Sequence, residues 1–86
     1  MDSKWVVVQR NQKWVPGATI TESVLEGTAH RRFTATVLGW RNFRVWEGDV
    51  EDLDVQDVIA KVQDIKARIE VGDESVFATL SGEPAQ

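Results

Sequence analysis

Cysteine is absent from all 86 residues of the chain, which excludes disulfide bonds, thiolate metal sites and a cysteine nucleophile. Tyrosine is absent too, and His30 is the only histidine. The longest unbroken apolar run, Trp5 to Val8, is far too short for a membrane span or for the core of a signal peptide. We therefore expect a cytoplasmic protein that does not enter a membrane.

The chain also lacks the motifs of common catalytic and metal sites. It has no glycine-rich phosphate loop, no nucleophile elbow and no zinc-ligand spacing. An EF-hand loop fails in both registers, because Leu53 would replace a ligand in one and Asp57 would replace the glycine in the other. His30 follows no ligand pattern, and Arg31 and Arg32 beside it would repel a cation, so we expect it on the surface or at a strand edge. We predict a protein that is not an enzyme and holds no metal or cofactor.

The charged residues are distributed unevenly along the chain. Residues 1–46 contain seven lysines or arginines and three acids, whereas residues 47–86 contain three and eleven. The net charge of −4 disfavours general nucleic-acid binding, because affinity for phosphates comes from clustered basic residues. One part of the surface is expected to attract anions and another part cations.

The first half of the chain has the pattern of antiparallel β-strands. Trp5 to Val8 and Ala18 to Leu25 are rich in β-branched residues, and Pro16-Gly17 between them fits the centre of a type II turn. His30 to Leu38 alternates between apolar and polar residues, as in a strand with one solvated face. Phe43 to Trp46 is predicted to return as the next strand.

The second half is dominated by one amphipathic helix. Its apolar residues recur at spacings of three and four and are Val55, Val58, Ile59, Val62, Ile65 and Ile69. Asp54 precedes them as a candidate cap. We predict an α+β fold in which three to four antiparallel strands carry the helix, about residues 54–71, on one face. The helix stripe should meet Phe33, Val37, Val45 and some of the tryptophans.

Residues 1–81 are predicted to form a single domain, followed by a flexible C-terminal tail at residues 82–86. Residues 73–80 fit either a short helix or a strand. Too few apolar residues lie there to define a period: Val76, Phe77 and Leu80.

The chain contains four tryptophans, a residue that is frequent both in cores and at interface hot spots. We expect Trp5 and Trp46 in the core. Trp14 and Trp40 lie beside turns and polar residues, so core and surface positions both stay open for them.

Two groups of residues are candidates for binding a partner. The first is an acidic patch formed by Glu47, Asp49, Glu51 and Asp52. The second combines cations with aromatic rings that can stack on bases, and comprises Trp40, Arg41, Arg44, Arg31 and Arg32. On a strand, consecutive residues point to opposite faces, so Arg31 and Arg32 would not act together.

The small size, the missing catalytic motifs, the tryptophans and the acidic patch together favour a protein-interaction module. We predict that the acidic patch occupies a basic surface on another protein, as an inhibitor or regulator of the type that phages and mobile elements encode. Two alternatives stay open: a nucleic-acid or anion-binding domain that uses the arginine and tryptophan residues, and an accessory subunit of a larger enzyme complex. The sequence leaves the identity of the partner and the oligomeric state open.

Overall fold

The computed structural model describes residues 4–40 and 42–73 of the chain. Over these residues, four strands form one antiparallel sheet in sequence order, and a helix follows. The strands are β1 (Trp5–Gln12), β2 (Ala18–Leu25), β3 (His30–Val37) and β4 (Asn42–Asp49), and a 3-10 helix (Val50–Asp52) leads into α1 (Val55–Glu70). The predicted α+β fold is confirmed. The open choice between helix and strand for residues 73–80 lies outside the described residues except for Asp73, and the predicted tail at 82–86 lies outside them entirely.

The connection between β1 and β2 is the predicted type II turn. The Ala18 N–H donates to the Val15 carbonyl at 3.0 Å, and Gly17 has a φ of 85°, which this turn requires at its third position. A Cβ at Gly17 would also lie 3.0 Å from the Leu38 side chain. Glycine is therefore required there both by the backbone and by the neighbouring strand connection.

A β-bulge at Val45 sets the register between β3 and β4. Because β4 has one extra residue at this point, Val45 and Trp46 both reach the helix side of the sheet. Val45 is 5% exposed, and the Trp46 ring meets Phe33 edge-on with ring centroids 6.0 Å apart. Beyond the bulge, Glu47 lies directly opposite Arg32.

α1 begins at Val55, where the Asp54 carboxylate accepts a hydrogen bond from the Gln56 N–H at 2.9 Å. It ends at Glu70, which agrees with the predicted bounds. Val55, the first residue of the predicted stripe, is exposed. The fully buried residues of the stripe are Val58, Val62 and Ile65.

α1 packs mainly against β3 and β4, and the core lies between them. Phe33, Val37 and Val45 belong to the same buried cluster as the helix residues, as the sequence predicts. The remaining buried core residues are Val15, Ala18, Ile20, Ala35, Phe43 and the three helix residues named above. Trp14 and Trp46 pack against this core, whereas Trp5 does not. The expectation that Trp5 lies in the core is wrong, because its register with Leu25 puts it on the other face of the sheet.

Candidate functional site

The face of the sheet opposite α1, here called the helix-free face, carries charged and aromatic side chains. Phe33 is buried under the helix, so Arg32 beside it points to the helix-free face. The strand pairing puts further side chains on the same face: Trp5, Val7, His30, Arg44 and Glu47. The face therefore brings the charged side chains of β3 and β4 close to the aromatic ring of Trp5 on β1.

Glu47 is the centre of this cluster. Its Oε2 lies 2.9 Å from His30 Nε2, its Oε1 accepts a hydrogen bond from Arg32 Nε at 3.3 Å, and Arg44 Nη1 lies 3.7 Å from Oε1. The hydrogen bond with His30 is the largest cause that holds the pKa of Glu47 below its ordinary value. Partial burial opposes it as the second-largest effect, and the hydrogen bond from Arg32 and the charges of Arg32 and Arg44 add to the lowering. One ionised carboxylate is thus shared by three basic side chains.

Arg32 also stacks on Trp5. Its guanidinium carbon lies 3.9 Å from the centre of the Trp5 ring, and the His30 ring centroid lies 5.7 Å from that of Trp5. This cation–π contact fixes a planar cation on an open surface. Another cation joins the same face where Lys13 Nζ donates to the Thr19 hydroxyl at 3.3 Å.

Arg31 points to the opposite side of the sheet from Arg32, as the strand alternation predicts. Its Nη1 lies 2.6 Å from Glu22 Oε2 in a partly buried ion pair. Its Nε is buried and has no hydrogen-bond partner among the described residues. Arg31 is therefore not part of the helix-free face.

The residues of the predicted acidic patch have different environments. Glu47 lies within the basic cluster of the sheet, and Asp49 ends β4 and accepts a hydrogen bond from the Glu51 N–H at 3.0 Å. Glu51 and Asp52 are exposed in the 3-10 helix, and no ion pair within residues 4–40 and 42–73 includes either side chain. Only the last two carboxylates face solvent without a local structural role.

The predicted aromatic and basic group is also divided. Trp40, which is 47% exposed, lies in the connection before β4, at the opposite end of that strand from Asp49. Arg44 shares the helix-free face with Arg32, and Arg41 lies outside the described residues. The structure therefore brings together Arg32 and Arg44, with Trp5 and His30 in place of Trp40.

β1 lies at the edge of the sheet and carries an unusual run of exposed apolar residues. In the described part of the chain it pairs only with β2. Val6, Val7 and Val8 are 38%, 40% and 45% exposed, since α1 packs over the other half of the sheet. This surface was not predicted from the sequence. Three consecutive β-branched residues without alternation were the available signal, because a sheet with one buried face cannot bury all three.

The hydrogen-bonding groups of β1 alternate in direction along the strand. The Glu26 N–H donates to the Lys4 carbonyl at 2.9 Å, and Val6 continues the same register, so these residues of β1 direct their groups toward β2. Trp5 and Val7 then direct their N–H and C=O groups to the free edge. A register shift after Val7 interrupts the regular strand. The open pairing stretch therefore runs from Trp5 to Val7.

Within residues 4–40 and 42–73, no three side chains of the metal-binding types are grouped to hold an ion. No helix in that part of the chain has the length and apolar character needed to cross a membrane. No protein-family model matches the chain, and neither a similar curated protein nor a similar solved structure was found. The function must therefore be inferred from the residues of this chain alone.

Proposed function

We propose that this protein is a small non-enzymatic interaction module that binds by adding a strand of its partner to the free edge of β1. The supporting observation is the exposed run Val6 to Val8 beside the open backbone groups of Trp5 and Val7. In strand addition, main-chain hydrogen bonds provide affinity and alternate side chains provide specificity. Edge strands that must stay single usually carry a lysine, a proline, an inward charge or a β-bulge, and β1 has none of these between Trp5 and Val7, since its first register shift follows Val7.

The acidic residues have a smaller role in this proposal than the sequence analysis gave them. Glu47 is matched by three basic side chains, and Asp49 caps the 3-10 helix. Two exposed carboxylates, Glu51 and Asp52, are a weak basis for a contact surface. The net charge of −4 still favours encounter with a basic partner, since long-range attraction raises the association rate. A cytoplasmic location, suited to a chain without cysteine, is part of the proposal.

Two substitutions at one position test the role of the β1 edge. Val7→Pro removes an N–H that points to the free edge, so the hydrogen bonds between β1 and β2 stay intact. Val7→Thr is the matched control, because it keeps the N–H and the β-branched shape. Circular dichroism and melting temperature should be similar for both variants.

The immobilised wild type and both variants are then compared for the proteins they capture from a lysate of the source cells, by quantitative mass spectrometry. We expect the proteins that bind wild type and Val7→Thr to be lost from Val7→Pro. Equal capture by all three chains would contradict strand addition at β1.

A second candidate function is binding of single-stranded nucleic acid or another polyanion on the helix-free face. The observation that favours it is Arg32 stacked on Trp5, with Arg44 and Lys13 on the same face. Fluorescence anisotropy with labelled single-stranded DNA and RNA tests it. Binding that weakens with salt and with Arg32→Ala, but not with Val7→Pro, would support this function instead. An accessory subunit of an enzyme complex is compatible with either surface.

A further inference from the structure

We infer that the strand added to β1 is β1 of a second copy, paired antiparallel around a twofold axis at Val6. The inference rests on the proposed function, since it names the partner of the same edge. The two sheets would become one continuous sheet, with both helix-free faces on the same side. This partner is supported by β1 itself, whose backbone groups, side chains and charges complement those of an antiparallel second copy.

The backbone groups of β1 complement themselves in this register. With Val6 at the axis, Trp5 lies opposite Val7 of the second copy, and Val7 lies opposite Trp5. These are the residues whose N–H and C=O groups point to the free edge, so every one of those groups acquires a partner. An axis at Val7 would instead place Trp5 opposite Gln9, which lies beyond the register shift in β1.

The side chains match on both faces. Trp5 and Val7 both lie on the helix-free face, so Trp5 would be the cross-strand neighbour of Val7 of the second copy. On the other face, Val6 would meet its own equivalent. Pairs of aromatic and β-branched residues, and pairs of β-branched residues, are favourable neighbours across antiparallel strands. The exposed valines of each copy would then be covered by the other.

The charges of β1 favour the same register. With the axis at Val6, Lys4 lies opposite the uncharged Val8, and the stretch from Trp5 to Gln9 contains no charge. With the axis at Val7, Lys4 would lie opposite Arg10 of the second copy. Like charges directly opposite each other destabilise a strand pair, so this alternative is disfavoured.

The length of the paired stretch sets the strength of the association. A standard stable interface covers roughly 800 Å² on each partner, and a strand pair of this length covers much less. We therefore expect a reversible dimer with a dissociation constant of about 100 μM to 1 mM. Sedimentation up to about 1 mM protein covers the necessary range, and a chain that remains monomeric there would overturn the inference.

The absence of cysteine makes a direct test possible, because Val6→Cys, Val7→Cys and Val8→Cys each introduce one thiol. Across the axis, Val6 would form a non-hydrogen-bonded pair with Cα atoms about 4.5 Å apart, a separation that a disulfide accepts. We expect the disulfide-linked dimer of Val6→Cys to form at least about tenfold faster than those of the other two variants. Random collision predicts the opposite order, since Val6 is the least exposed of the three at 38%. Rates that follow exposure would overturn the inference.

A charge exchange at Val6 provides an independent readout. Val6→Lys and Val6→Glu should each weaken self-association at least about tenfold, and an equimolar mixture should restore it, since the two side chains would face each other. Circular dichroism controls for folding. If the mixture fails to associate, the Val6 axis is wrong.

The outcomes also separate this inference from the proposed function. If capture from the lysate depends on the Val7 N–H while the cysteine rates follow exposure, β1 binds another chain and only the identity of the partner is overturned. If neither the capture from the lysate nor the disulfide rates depend on β1, the proposed function and the dimer are both overturned.

Discussion

β1 and β3 are strands of equal length with apolar side chains, yet they differ completely in burial. On β3, Phe33, Ala35 and Val37 are 0–1% exposed, whereas Val6 to Val8 on β1 are 38–45% exposed. β3 alternates, so its apolar side chains all face α1, and α1 packs mainly on β3 and β4. Apolar composition alone therefore does not determine burial. Position relative to the helix does, and β1 is the strand that α1 leaves uncovered.

The largest expected difference between the two regions is in the free energy of unfolding that is lost when a side chain is shortened to alanine. Ile65 is fully buried against the sheet, so Ile65→Ala should lower the free energy of unfolding by about 2–4 kcal/mol through lost burial and a residual cavity. Val7→Ala, at an exposed site, should cost less than about 1 kcal/mol. Urea denaturation at low protein concentration measures both. Similar costs would mean that the core does not lie between α1 and the last two strands.

A smaller effect is expected where α1 begins. Asp54→Ala removes the carboxylate that accepts the hydrogen bond of the Gln56 N–H. It should lower the free energy of unfolding by about 0.5–2 kcal/mol. Asp52→Ala, two residues earlier and exposed, should change stability by less than about 0.5 kcal/mol. If the two variants unfold at the same urea concentration, the acids before the helix do not differ in role.

The helix and the first turn were predictable from the sequence, because each depends on residues that are close together in the chain. The spacing of the helix stripe defines one buried face, and Pro16-Gly17 defines a turn. Glu47 and Arg32 meet only through the strand register, which depends on the bulge at Val45. The consecutive apolar pair of Val45 and Trp46 was the available signal for that bulge.

The exposure of β1 depends on tertiary dimensions instead. A helix about 10 Å wide covers roughly two strands spaced about 4.8 Å apart. The run Val6 to Val8 indicates that some of these side chains are exposed, but it does not indicate which two of the four strands α1 covers.

The contribution of Glu47 should depend on pH. Its pKa is lowered in the folded state, so its stabilising effect is fully present above the ordinary value of about 4.5 and is lost as the pH falls through the folded pKa. We expect Glu47→Gln to melt slightly below wild type at pH 7, and this difference to disappear in strong acid. Melting curves from pH 7 to about pH 2 measure it. Glu51→Gln is the control, and an equal pH dependence there would contradict the role of the His30, Arg32 and Arg44 contacts.

The smallest effect is expected from the exposed acids. The double variant Glu51→Gln and Asp52→Asn should change the free energy of unfolding by less than about 0.5 kcal/mol, since neither side chain has a cation partner within the described residues. Its self-association should equal that of wild type in sedimentation experiments. A large loss of association would move the contact surface from β1 to the 3-10 helix.

Amide hydrogen exchange, followed by NMR at low and high protein concentration, tests the central claim about β1 most directly. In the monomer, the Val6 N–H points toward β2 and should be protected, whereas the N–H groups of Trp5 and Val7 point to the free edge and should exchange fast. At high concentration, Trp5 and Val7 should become protected while Val6 changes little. If Trp5 and Val7 exchange equally fast at both concentrations, β1 is not the strand through which this protein assembles.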